Sequence, residues 1–223
     1  PVDAVDHDVV VGLHLVLQYL ARQLVQYLAL DDSVYYDPDY SRAARYVCAP
    51  PIRTRADSEA LWKALRHGDV QTISTDHCSF TLAQKDMGKD DFTKIPGGLP
   101  GVETRGEVVY TAGVAGRKIS VAGMCRALSE NPAKLYGLFP RKGALLPGSD
   151  ADIVVYDPKA DHVLSAQDMV SKAGYTPFEG FETAGSIKKV YLRGALQVDN
   201  GKVVGVQNGV YLRQLVENIA FIA

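Results

Sequence analysis

Asp69-Val70-Gln71-Thr72-Ile73-Ser74-Thr75-Asp76-His77-Cys78-Ser79 is the stretch on which the fold turns. In its first five residues apolar Val70 and Ile73 are interspersed with polar ones, a short run that reads as a β-strand. A carboxylate follows where that strand ends. Parallel strands of α/β folds deliver functional groups at their carboxyl ends, so Asp76 has the place of a metal ligand or a general base. Asp-His-Cys after a strand also describes a capped turn, and the triplet alone does not choose between the two. Upstream, residues 57–65 have helical spacing with Asp57 or Ser58 as cap. Before them Arg45-Tyr46-Val47-Cys48 reads as a short strand stopped by Pro50-Pro51. The order strand, helix, strand predicts an α/β fold and suits the last units of a parallel (β/α) barrel.

Further out, residues 9–30 carry Leu13, Val16, Leu17, Leu20, Leu24 and Tyr27 near one helical face, and Asp31-Asp32-Ser33 is a turn or cap signal. Residues 85–101 are polar, rich in Gly and Pro and too long for an ordinary connection; an ordered loop over the site is expected. Helices are expected over 106–115 and 121–128, with Ser129-Glu130-Asn131-Pro132 ending one helix and opening another. After Gly143 the character changes. Strands are predicted over 151–156 and 186–193, and Gly194-Ala195 and Asp199-Asn200-Gly201-Lys202 turn into two more. The expected division is 1–142 for the barrel part and 143–223 for a small β unit with a terminal tail. In that tail Leu212, Leu215, Ile219 and Ile222 would form one apolar stripe on a helix.

Composition narrows the function classes. The chain has 223 residues, 47% hydrophobic and 22% charged, as in globular proteins. A net charge of −2 gives no sign of a nucleic-acid or acidic-membrane partner. No run approaches the roughly 20 apolar residues of a membrane span, and the opening Pro1-Val2-Asp3 has no basic leader. Cys48, Cys78 and Cys125 are far apart, without zinc-ligand or redox-motif spacing. A reduced, cytoplasmic protein is expected.

A longer pattern surrounds Asp76. Ser74-Thr75-Asp76-His77-Cys78-Ser79-Phe80 continues into Gln84-Lys85, then Asp91-Phe92-Thr93-Lys94-Ile95-Pro96-Gly97-Gly98 and Pro100-Gly101-Val102-Glu103-Thr104-Arg105. Cys48-Ala49-Pro50-Pro51-Ile52-Arg53 stands upstream. Ser129-Glu130-Asn131-Pro132-Ala133-Lys134-Leu135-Tyr136-Gly137-Leu138 and Gly148-Ser149-Asp150-Ala151-Asp152-Ile153-Val154 stand downstream. From about residue 26 to residue 214 this resembles the carboxyl-terminal part of the dihydropyrimidinase/hydantoinase family of the amidohydrolase superfamily. The run from Asp76 to Arg105 is its most specific part.

The resemblance implies part of a metal-dependent TIM barrel, joined to part of a β-sandwich, in an enzyme that opens the cyclic amide of hydantoins or dihydropyrimidines to N-carbamoyl amino acids. It implies two divalent metal ions, zinc by family, and a homotetramer. Asp76 would be both metal ligand and proton carrier. Ala49 and Gly97 would bind the ring through the main chain, with Gly97 standing where many family members have Asn. His77 is not expected to be a ligand, because the next side chain of a strand faces the other way. Glu103 and Arg105 are expected to form a structural ion pair. The family's other metal ligands come from earlier barrel strands with no counterpart here, so the chain reads as roughly the carboxyl-terminal half of a metallohydrolase. Two alternatives remain in play: a non-catalytic dihydropyrimidinase-related interaction protein, and an allantoinase or dihydroorotase.

Overall fold

The computed structural model describes residues 22–213. Strand β1 (Arg22–Leu24) lies parallel to β2 (Thr72–Ser74), with Gln23 opposite Ile73 and Leu24 opposite Ser74. Between them run α1 (Val25–Ala29), a 3₁₀ turn (Asp32–Tyr35), α2 (Tyr40–Ala44) and α3 (Arg55–His67). This is the expected strand–helix–strand order with a different first strand. Helical spacing over 9–30 gives way at residues 22–24 because pairing with β2 outweighs a local pattern; residues 9–21 lie outside the described ones. Arg45-Tyr46-Val47-Cys48 is not a strand. The Val47 carbonyl is taken by the Gly98 N–H and the Lys85 ammonium, which leaves no ladder to join.

Helix α3 begins earlier than its apolar spacing indicates. Thr54 is the cap: its hydroxyl accepts from the Asp57 N–H, and the Asp57 carboxylate accepts from the Thr54 N–H at 3.0 Å. Asp57 is therefore the third helical residue rather than the cap. Ser58 turns inward and donates to the Leu28 carbonyl. The helix stops at Gly68, whose φ of +88° suits glycine. Helix α4 (Leu82–Asp86) follows β2, and Phe92–Lys94 makes one 3₁₀ turn within the long loop.

Helix α5 (Arg105–Val109) runs on through a π-helical segment, Tyr110–Ala115. Helix α6 (Val121–Cys125) passes through a second such segment, Arg126–Glu130, into α7 (Asn131–Leu135). The expected break at Ser129–Pro132 does not occur: Glu130 and Asn131 keep right-handed helical dihedrals. Pro132 has no N–H to donate, and its ring crowds the preceding turn. A widened turn just before it accommodates both.

Strands β3 (Ile153–Asp157), β6 (Ser186–Leu192), β7 (Ala195–Asp199) and β8 (Lys202–Val203) form an antiparallel sheet in the order β3-β6-β7-β8. A separate pair joins β4 (His162–Val163) to β5 (Glu182–Thr183). The turn expected at Asn200-Gly201 is present, and the one expected at Gly194-Ala195 forms one residue earlier, with Ala195 already in β7. Arg193-Gly194 and Asn200-Gly201 all have positive φ, the mirror-image geometry that matches the twist of paired strands.

The core gathers Val25, Leu28, Trp62, Ile73, Val108, Val109, Ala127, Leu164 and Phe178. It lies between α1, α3, β2 and α5 and takes in the segment after β4. It thus holds the carboxyl end of β2, from which Asp76 projects, against a rigid base.

Candidate functional site

Past β2 the chain turns sharply. Thr75 is buried, and Asp76 is exposed with φ +48°, a left-handed conformation that few residues other than Gly and Asn adopt. His77 then makes a parallel bridge with Leu99, and the Cys78 N–H donates to the Leu99 carbonyl at 3.1 Å. The Nδ1 atom of His77 accepts from the N–H groups of Gly101 at 3.1 Å and Val102 at 3.3 Å. An Nδ1 that accepts places any imidazole proton on Nε2. His77 thus holds the Pro100-Gly101-Val102 corner, and Asp76 takes no part in those bonds.

The loop over 85–101 is tied to the same edge. A Cβ at Gly98 would lie 2.4 Å from the Cys78 carbonyl oxygen, so only glycine lets the two backbones approach. The Gly98 N–H donates to the Val47 carbonyl. A Cβ at Gly97 would stand 3.7 Å from the Ala49 nitrogen, an ordinary contact. The structure therefore brings Ala49 beside Gly97, and Gly98 beside Cys78, two residues from Asp76. The space at Gly97 also admits a side chain, so its difference from Asn needs no backbone change.

Several groups behind this strip were not singled out by the sequence. The Tyr27 hydroxyl donates to the Pro50 carbonyl at 2.5 Å, and its titration is pushed far up, first by burial and then by negative neighbours that include Cys48 and Asp76. The Tyr35 hydroxyl accepts from the Ile52 N–H, and burial pushes it up to about 12. Burial likewise raises the Cys48 thiol. Lys85 is wholly buried and donates to the carbonyls of Val47 and Pro96, both at 2.7 Å. No local pattern marks which lysine of a polar segment is buried. The one available signal was its place in the longer pattern.

Burial lowers Lys85 from its ordinary 10.5 to about 8. Below about 8 both folded and unfolded chains hold the proton, and the folded state bears the cost of a buried charge. From there to 10.5 the unfolded chain keeps a proton that the folded chain has released, so stability rises with pH. In denaturant unfolding of the whole protein, wild type should gain on Lys85→Met between pH 8 and 10. A flat or falling difference would contradict this.

The expected Glu103–Arg105 pair is absent from the described residues. The Glu103 carboxylate accepts from the N–H groups of Val170 at 2.7 Å and Ser171 at 2.8 Å. Residues two apart at a helix start do not face each other, and burial lowers the pKa of Arg105. Among the described residues no group of three or more His, Cys, Asp or Glu is placed to hold a metal ion. Asp76 by itself does not satisfy a transition metal that takes three or four protein ligands, so the described residues do not make a metal site on their own. All three cysteines are free. No described helix is long and apolar enough to cross a membrane.

Residues 9–204 match the model of the Amidohydrolase family. The chain belongs to the amidohydrolase family. That family has the TIM-barrel superfamily fold and is generally metal-dependent. Among this amidohydrolase's relatives, the D-hydantoinase of Rhizobium radiobacter is 44% identical over 187 residues, which cover 83% of this chain and 40% of that protein. The D-phenylhydantoinase of Escherichia coli is 36% identical over 191 residues, 85% of this chain and 41% of that one. The dihydropyrimidinase structure from Brevibacillus agri superposes with a TM-score of 0.80 at 40% identity, over 82% of this chain and 40% of that chain. The L-hydantoinase structure from Arthrobacter aurescens gives 0.76 at 29% identity, over 86% of this chain and 44% of that chain. The chain thus spans about 40% of the length of the curated relatives it matches.

Proposed function

We propose that the whole protein hydrolyses the cyclic amide bond of hydantoins or dihydropyrimidines and releases N-carbamoyl amino acids. The observation that supports this reading is 44% identity to a D-hydantoinase over 83% of this chain, together with Ala49 beside Gly97 and Gly98 beside Cys78, two residues from Asp76. Opening a ring amide at neutral pH needs water added to the carbonyl carbon and a proton delivered to the leaving nitrogen. Asp76, exposed at the strand end, is the group that takes the proton from the water and hands it on. Ala49 and Gly97 offer backbone N–H and C=O groups rather than side chains, which suits a planar ring edged with the same groups.

In this reading residues 1–142 are the last part of a TIM barrel and residues 143–223 part of a β-sandwich with a tail. The two divalent ions, zinc by family, would take Asp76 together with ligands outside the described residues. The 223-residue chain by itself should then hold no tight binuclear centre, and two equivalents of firmly bound zinc by elemental analysis would contradict that. The proposed assembly is a cytoplasmic homotetramer acting on a small cyclic amide. The apolar stripe that would have supported it ends beyond the described residues.

The test is a substrate panel for the whole protein: hydantoin, dihydrouracil, allantoin and dihydroorotate. Turnover of the first two above the others is expected. Preference for allantoin or dihydroorotate would move the assignment to those activities, and no turnover of any with metal supplied would remove it.

A further inference from the structure

We propose that Lys85 is a positioning residue, whose ammonium holds the Ala49 and Gly97 backbone edges in register and so sets how they meet the ring. The proposal rests on the cyclic amidohydrolase reading for what meets those edges, but not for the clamp itself. Ala49 and Gly97 act through the main chain, so neither side chain can hold its own peptide group in place. Something else must. Val47 stands two residues before Ala49 and Pro96 directly before Gly97, and the carbonyls of both accept from the Lys85 Nζ at 2.7 Å.

The lysine is itself well anchored. It lies in α4, whose start is fixed by a reciprocal cap: the Thr81 N–H donates to Gln84 Oε1 at 2.8 Å, and the Gln84 N–H donates to Thr81 Oγ1 at 3.3 Å. The Tyr40 hydroxyl donates to the Lys85 carbonyl, and the Phe80 ring lies 5.7 Å from Nζ. No carboxylate pairs with Lys85 among the described residues. A wholly buried ammonium without a counter-ion is costly, and the lowered pKa of Lys85 reflects that cost. Two charge-assisted bonds to carbonyls of separate loops are what it gains. The Gly98 N–H, donating to the same Val47 carbonyl at 3.1 Å, is the backbone bond that closes when the spacing is right.

The experiment compares wild type with Lys85→Met, which keeps the length of the side chain and removes its donors, and with Lys85→Gln, which keeps a donor and carries the test if the Met form does not fold. Two quantities are read. Amide hydrogen exchange should show the Gly98 N–H exchanging about tenfold faster or more in the Met form, while core amides such as Val108 keep their protection. Kinetics on hydantoin and dihydrouracil should show KM raised about tenfold with kcat within about threefold, the signature of lost ring binding. The Gln form should fall between. Unchanged Gly98 exchange overturns the clamp. Faster exchange with unchanged KM overturns its role in seating the ring. A wild type that opens no ring, beside a Met form with faster Gly98 exchange, removes the hydrolase reading and leaves the clamp standing.

Discussion

Asp76→Asn in the whole protein is expected to lower kcat for ring opening by about 10²–10⁴-fold, the range of a lost general acid–base group. Asn has the same shape and cannot take a proton. Asp76 is exposed, has a positive φ and takes no part in the bonds that His77 makes. Asn is also among the residues that tolerate that conformation, so the fold should not change. Activity within a few-fold of wild type, with unchanged circular dichroism, would remove Asp76 from the mechanism.

Trp62→Ala should be the most damaging change to stability, at about 3–5 kcal/mol. Trp62 is 1% exposed at the centre of the cluster. Its indole N–H donates to the Leu28 carbonyl at 2.9 Å, where Ser58 also donates, and Lys118 lies 5.6 Å from its ring. The π-helical segment gives it room: a Cβ at Gly113 would lie 2.6 Å from the indole. Removing the ring leaves a cavity between α1, α3 and α5 and an unpaired share of a buried carbonyl. Denaturant unfolding of the whole protein reads the loss, and less than about 1 kcal/mol would mean that this cluster is not the core.

Periodicity and turn chemistry found a strand before Asp76, which forms over 72–74 rather than 69–73, helices over 106–115 and 121–128, the second of which runs on to Leu135, and the hairpins with their Gly-containing turns, because each rests on neighbours in sequence. Three of the failures share one cause. Residues 22–24 became a strand, and residues 45–48 did not, according to which backbone groups found partners far along the chain. Glu103 met Val170 and Ser171, more than sixty residues away, rather than Arg105. Asp76 stands out as a candidate because a carboxylate after a strand has a mechanistic meaning and the surrounding run is specific; its role is what Asp76→Asn tests. Lys85 belongs to that run, yet its burial and its two carbonyl partners exist only once three separate segments meet.

The central claim is that water adds to a ring carbonyl at the edge formed by Asp76, Ala49 and Gly97. Incubating the whole protein with hydantoin in ¹⁸O-labelled water, and weighing the product, tests it directly. The account predicts N-carbamoylglycine carrying one ¹⁸O in its carboxyl group, formed by wild type and greatly slowed in Asp76→Asn. Intact hydantoin after incubation with metal-supplied wild type, or equal product from both forms, would contradict it.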